Sequence, residues 1–302
     1  MTVLPSASSE FASTESKRIR PATSGPLGRL TARLRTGPAT LPAASVGVLL
    51  VVSLLGPFLA PHDPYLVDLG NAFVAPESGH WMGTDDLGRD VFSRVLTAAP
   101  LTLLSAIAVV IASNLFGVAF ACLASLLPAW AGSRLMRLCD VALAIPPIIV
   151  AMAIVAVMGP SLMAVMIALS AAMWPGTARL MHTVLRETSR TSYVEAAGLM
   201  GVTPGRILLR HILPNSLDAI LVHASLEVSG VIVMIAGLSF LGIGAPAPSA
   251  DWGSMIADGR DFVTTAWWIT AFPGLAITVS AVLFSLLGDA LRVHLDPSLE
   301  GK

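Results

Sequence analysis

Glu195-Ala196-Ala197-Gly198-Leu199-Met200-Gly201, followed after nine residues by His211-Ile212-Leu213-Pro214-Asn215, interrupts an otherwise strongly apolar chain. It lies in the segment 182–217, polar enough to leave a membrane yet rich in helix formers. Ala196 and Ala197 favour helix without bulk, and Gly201 permits a sharp turn at positive φ. Pro214 is expected to end the following segment before the chain re-enters the bilayer. The pattern predicts a short helix lying beside the membrane. An ordinary amphipathic connection is the plainer alternative.

On either side of this segment the sequence excludes a water-soluble domain. Of its 302 residues, 55% are hydrophobic and only 12% charged, where soluble domains carry about a quarter charged. The mean hydropathy is +0.78. Six blocks are long enough to cross about 30 Å of hydrocarbon: Leu41 to Ala60, Ala99 to Leu127, Arg137 to Met158, Ser161 to Met181, Ala219 to Gly244 and Trp267 to Leu291. Only Gly159 and Pro160 separate the third from the fourth, which predicts a tight helical hairpin. The fold class is therefore all-α, a polytopic membrane protein with about six transmembrane helices.

Charge sets the expected orientation, because cytoplasmic loops retain Lys and Arg. With the N-terminus inside, 15 of the 18 basic residues fall on the cytoplasmic side, leaving Arg89, Arg94 and Arg260 outside among many acidic residues. Both termini are expected to be cytoplasmic. Residues 1–38, rich in Ser, Thr, Pro and Arg, read as a disordered cytoplasmic tail. Residues 39–98 read as the first helix and an extracytoplasmic segment, 99–292 as the core of the protein, and 293–302 as a short C-terminal tail. The formal charge of -1 gives no basis for nucleic-acid binding.

The chain carries no recognisable catalytic machinery of its own. It has no Gly-x4-Gly-Lys-Ser/Thr phosphate loop, and its six histidines never form His-Glu-x2-His. No serine stands in a Gly-x-Ser-x-Gly elbow, and Asp289 has no matching second aspartate. No enzyme activity, resident metal or cofactor is expected. Cys122 and Cys139 sit in or beside apolar blocks, where thiols behave as small hydrophobes. Glu227 lies inside the fifth block, where a lone carboxylate costs about 2.5–3.5 kcal/mol. It either lines a translocation path or is protonated or hydrogen-bonded at a helix interface. Ser113, Gly117 and Ala121 form a small-residue stripe for close helix packing, within the chain or against another subunit. Pro146-Pro147 should kink or unwind the third span.

The spacing of Glu195-Ala196-Ala197, Gly201 and Leu213-Pro214 resembles the signature loop of permease subunits of ATP-binding-cassette importers. His211 stands where an aliphatic residue is common. Gly83-Thr84-Asp85-Asp86-Leu87-Gly88-Arg89-Asp90-Val91-Phe92-Ser93-Arg94 is similar to the hallmark of the C-type permease of dipeptide and oligopeptide importers. So are Leu238-Ser239-Phe240-Leu241-Gly242-Ile243-Gly244, the Pro246, Pro248 and Asp251-Trp252-Gly253-Ser254-Met255 that follow, and Gly288-Asp289-Ala290-Leu291-Arg292. The resemblance spans roughly 42–299, with Ile235 departing where relatives often carry a carboxylate.

The resemblance implies a type I importer permease fold in the cell membrane and one half of a pore shared with a second homologous permease. Two ATP-binding subunits, which bind ATP and Mg, would dock inside, and an extracytoplasmic solute-binding protein outside. It assigns Glu195, Ala196, Ala197, Gly201 and Pro214 to coupling with the ATPase. Glu227, Ser239 and Phe240 are the candidates for the pore or gate, and Asp251, Trp252, Asp258 and Asp261 for binding-protein docking on the outer loop. Peptides are the implied cargo, with nickel, glutathione or another small solute as alternatives. The rival from another class is an ion-coupled secondary transporter, against which stand the absence of a convincing internal repeat and of a second carboxylate well inside a span.

Overall fold

The computed structural model describes residues 40–246 and 249–295. The predicted N-terminal tail, Pro248 and the end of the C-terminal tail, 296–302, lie outside the described residues. Helices α1 (Thr40–Leu59), α2 (Val91–Leu126), α3 (Ala129–Leu143), α4 (Pro147–Met158) and α5 (Leu162–Thr188) lead to a loop of short helices. These are α6 (Ser192–Leu199), α7 (Pro204–Ile207) and α8 (Leu213–Asn215), followed by α9 (Leu217–Phe240), α10 (Trp252–Gly259) and α11 (Trp268–Leu295). Among the described residues there is no strand, only a bridge between Thr84 and Asp90. Five helices are long and apolar enough to cross a membrane, and the bent pair α3 and α4 makes a sixth.

The sequence boundaries move where local chemistry overrides hydropathy. The second span begins at Val91, eight residues before its apolar block, because the Asp90 side chain accepts the Ser93 N–H at 2.8 Å and caps the helix there. At 1.5 Å per residue α2 is about 54 Å long, so it extends well past a bilayer core. The third span is not one helix from Arg137. An amphipathic α3 begins at Ala129 and buries Gly132, Met136 and Cys139. It then meets α4 at 84°. Pro146 and Pro147 are the cause, since neither can donate the backbone bond that would continue the helix. The predicted hairpin between the third and fourth spans is present, turning at Gly159, and α4 packs along α5.

Helices α2 and α5 run parallel and form the most extensive pairing in the bundle. The stripe of Ser113, Gly117 and Ala121 is fully buried and faces α5 within the same chain. A Cβ on Gly117 would stand 2.7 Å from Thr177 Cβ and 2.8 Å from the Trp174 carbonyl oxygen, so only glycine allows this approach. Above this contact Leu103, Ala106 and Val109 pack with Val165, Ala168 and Leu169 in the main core. Below it Ala121, Met181 and Leu185 join the loop residues Val194, Leu208 and Ile212.

At the opposite end from that loop, a buried ion cluster fastens the segment before α2. The Asp85 carboxylate accepts the Leu87 and Arg89 backbone N–H at 3.0 and 2.9 Å, the Arg89 Nε at 2.7 Å, and Arg94 Nη1. Two tryptophans lock other elements onto it: Trp268 Nε1 donates to the Thr84 carbonyl and Trp252 Nε1 to the Val95 carbonyl, both at 3.0 Å.

Two outcomes test this account. Gly117→Val should lower the thermal unfolding midpoint in detergent, with a loss of roughly 1–3 kcal/mol or more from overpacking, whereas Gly176→Ala, with nothing within 4 Å of its Cβ position, should leave it unchanged. Asp85→Ala strands two arginines and is expected to cost roughly 3–5 kcal/mol, read in the same melt.

Candidate functional site

The loop after α5 is organised around one amphipathic turn of helix. Glu195 lies in the first turn of α6, where the helix dipole favours a carboxylate. Val194 and Ala197 point into the core, while Glu195 and Ala196 are exposed. Leu199 and Met200 are 91% and 77% exposed, an apolar tip with no cover among the described residues. Gly201, at φ +80°, ends the helix in the left-handed conformation the sequence predicted. Its N–H donates to the Gly198 carbonyl at 3.0 Å and the Val202 N–H to the Ala197 carbonyl at 3.3 Å. These two bonds form a Schellman cap, which satisfies the last carbonyls of the helix.

Pro214 lies in α8, which ends one residue later at Asn215, and after the turn residue Ser216 the span α9 begins at Leu217. The path leading to it is helical from α7 through a π turn, Leu208–Ile212. In that turn the Leu213 N–H reaches back to the Leu208 carbonyl. A wider turn accommodates a proline that has no N–H and would otherwise press on the carbonyl four residues earlier. The Asn215 amide Nδ2 donates to the His211 carbonyl at 2.6 Å and to Tyr193 Oη at 3.2 Å, tying α8 back to α6. From α7 to α9 the path is helical apart from the single turn residue Ser216. A cleft of about 480 Å³, lined by Ser133, His182, Arg186, Val194, Ile207 and Ile212, lies beneath this path.

Within the spans, Glu227 is buried at the α2–α9 interface. Asn114 Nδ2 donates to its Oε2 at 2.6 Å, and His223 Nε2 stands 3.9 Å from the same oxygen. In the structure this carboxylate is a hydrogen-bonded group at a helix interface. Ser239 is also buried, packed where Gly244 and Gly253 pass close to it. Ser239 also lines a small cavity with Arg89, Arg94, Gly242 and Asp258, and Phe240 keeps 37% of its surface exposed. Helix α9 ends at Gly242 with the same cap as α6: the Gly242 N–H donates to Ser239 and the Ile243 N–H to Leu238.

The outer-loop candidates divide. Asp251 and Trp252 are 1% and 2% exposed, so they are not displayed to a partner. Asp251 caps α10, accepting the Gly253 and Ser254 N–H groups, and Trp252 fills the core. Their sequence position in a loop suggested exposure, but the loop folds inward against α2 and α9. Asp258 is partly exposed and lies 3.5 Å from Arg94 and 3.8 Å from Arg89. Burial pushes its carboxyl above the usual range, opposed by Arg94 and Arg89 and reinforced by Asp86. Asp261 is open to solvent beside Arg260. One constellation has no signal in the sequence spacing: His62, His80 and Asp90, from three separate turns, present donor atoms within 4.8 Å of one another.

Residues 113–301 match the family model described as the binding-protein-dependent transport system inner membrane component. The probable D,D-dipeptide transport system permease protein DdpC of Escherichia coli (strain K12) is 39% identical, over 91% of this chain and 92% of its own length. The glutathione transport system permease protein GsiD of Pectobacterium atrosepticum is 38% identical over 85% of this chain and 87% of its own. In fold, the chain is similar to one from inward-facing conformations of the MetNI methionine ABC transporter, at a TM-score of 0.55 and 18% identity, covering 67% of this chain and 96% of that one. A helical bundle of this form, related over nearly its full length to transport permeases, belongs to the family of binding-protein-dependent transport system inner membrane components.

Proposed function

We propose that this chain is one of two homologous permeases forming the pore of an ATP-driven importer of short peptides. The carrying observation is α6, a helix held to the bundle by Val194 and Ala197 while Leu199 and Met200 project uncovered. Such a tip fits a cleft on a separate ATPase subunit, with Glu195 and Ala196 on the exposed side of the same helix. Two such subunits would bind ATP and Mg. Their closure pushes α6, and the helical path through Pro214 passes that motion to α9 and its exposed Phe240. Glu227 holds α9 to α2 behind the path. Each bound state must favour one access state by several kcal/mol for the cycle to run.

The bias of Lys and Arg toward one set of connecting segments supports a cytoplasmic loop and termini, with the Asp85 cluster on the outer side. A solute-binding protein would dock at that outer end, where Asp261 is displayed and Asp258 holds α10 to Arg94 and Arg89. Short peptides are the cargo most in keeping with the relatives, one named for a dipeptide and the other for glutathione, itself a tripeptide.

Expressed with its partner subunits, the chain should support ATP-dependent uptake of labelled dipeptide. Gly201→Val forces a β-branched residue into the left-handed region, at a cost of roughly 1–2 kcal/mol, and together with Glu195→Lys should abolish uptake while membrane insertion and ATP hydrolysis persist. Normal uptake in both variants overturns the coupling role of α6. Asp261→Lys is expected to reduce the stimulation of ATPase activity by the binding protein, read as hydrolysis rate against binding-protein concentration.

A further inference from the structure

Three turns that are far apart in sequence meet at the N-terminus of α2. His62 follows α1, His80 closes a turn in which its N–H and the Glu77 N–H each donate to the other's carbonyl, and Asp90 caps α2. His80 Nδ1 lies 2.9 Å from Asp90 Oδ1 and His62 Nδ1 lies 3.7 Å from Asp90 Oδ2. The two imidazole centroids are 4.9 Å apart. We propose that His62, His80 and Asp90 form a site for a divalent transition-metal ion of the zinc type.

The geometry supports this in three ways. Ligands bound at 2.0–2.1 Å to a tetrahedral zinc stand about 3.3 Å from one another; here one donor atom from each residue lies within 4.8 Å of the others, so the three side chains need only draw together around the ion. The carboxylate is already oriented: Asp90 Oδ2 accepts the Ser93 N–H and Oγ–H at 2.8 and 2.7 Å, and Ser93 Oγ in turn accepts the His62 N–H at 3.1 Å. This is the outer layer of hydrogen bonds that metal-binding carboxylates require. Finally, exposure rises across the set, with Asp90 buried, His80 one-fifth exposed and the His62 side chain 46% exposed. A water can complete the fourth position from the solvent side.

A hydrogen bond from His80 accounts for one imidazole and leaves His62 beyond hydrogen-bond reach of Asp90. A metal ion uses both. Each imidazole then binds through Nδ1 with its proton on Nε2, and the ion replaces the His80–Asp90 hydrogen bond. The result is a clip tying the end of α1 and the 77–80 turn to α2. This inference is independent of the transported solute.

The test uses the full chain, purified in detergent with a tag free of histidine and stripped with EDTA. After incubation with Zn²⁺ and gel filtration, mass spectrometry of the metal should find one zinc per chain, and calorimetric titration should give micromolar or tighter binding. His62→Ala, which removes a half-exposed ring, should weaken binding at least tenfold while leaving the melting midpoint in EDTA unchanged. His62→Ala/His80→Ala should bind no zinc at this stoichiometry, and zinc should raise the melting midpoint of the unaltered chain only. Absence of bound zinc in the unaltered chain, or equal binding by the His62→Ala chain, overturns the proposal.

Discussion

Helices α2 and α5 approach at Gly117 until no Cβ can fit between them, and much of the architecture follows from that contact. Two parallel helices in one bundle need a connection that returns the chain across the full thickness of the layer. Helices α3 and α4 are that connection. Because Pro146 and Pro147 break the return, α3 lies across the loop end at 84° to α4 and closes the bottom of the α2–α5 pair with Met136 and Cys139. In a lipid surround, where apolar surface gains little by leaving the solvent, close van der Waals contact of this kind holds helices together.

The two ends of the bundle are built on different physics. At one, Asp85 is buried and bonded to Arg89, Arg94 and two backbone N–H groups, which makes the segment before α2 a fixed part of the fold rather than a loose loop. At the other, the loop is anchored by a small apolar cluster, and its tip exposes leucine and methionine. One end is thus fixed by buried ion pairs, and the other leaves an apolar tip exposed among the described residues.

The two motifs Glu195 to Gly201 and Leu238 to Gly242 share one device. Each is a helix closed by a glycine in the left-handed region with the same pair of backbone bonds. In the first, the cap redirects the chain at the end of α6; in the second, it turns the chain from α9 toward α10, with Ser239 packed under the turn.

The sequence by itself determined the apolar blocks long enough to cross a membrane, the helical loop with its glycine turn, the break at Pro146-Pro147 and the importer-permease family. These are local properties: the length of an apolar run, a missing N–H at proline and the freedom of glycine act wherever the residues are placed. Only the tertiary structure decided which helix covers the Gly117 stripe, that Glu227 meets Asn114, that Asp251 and Trp252 turn inward, and that His62, His80 and Asp90 converge. Each of those depends on segments distant in the chain arriving at the same place, and no spacing along the sequence records where helix packing will bring them.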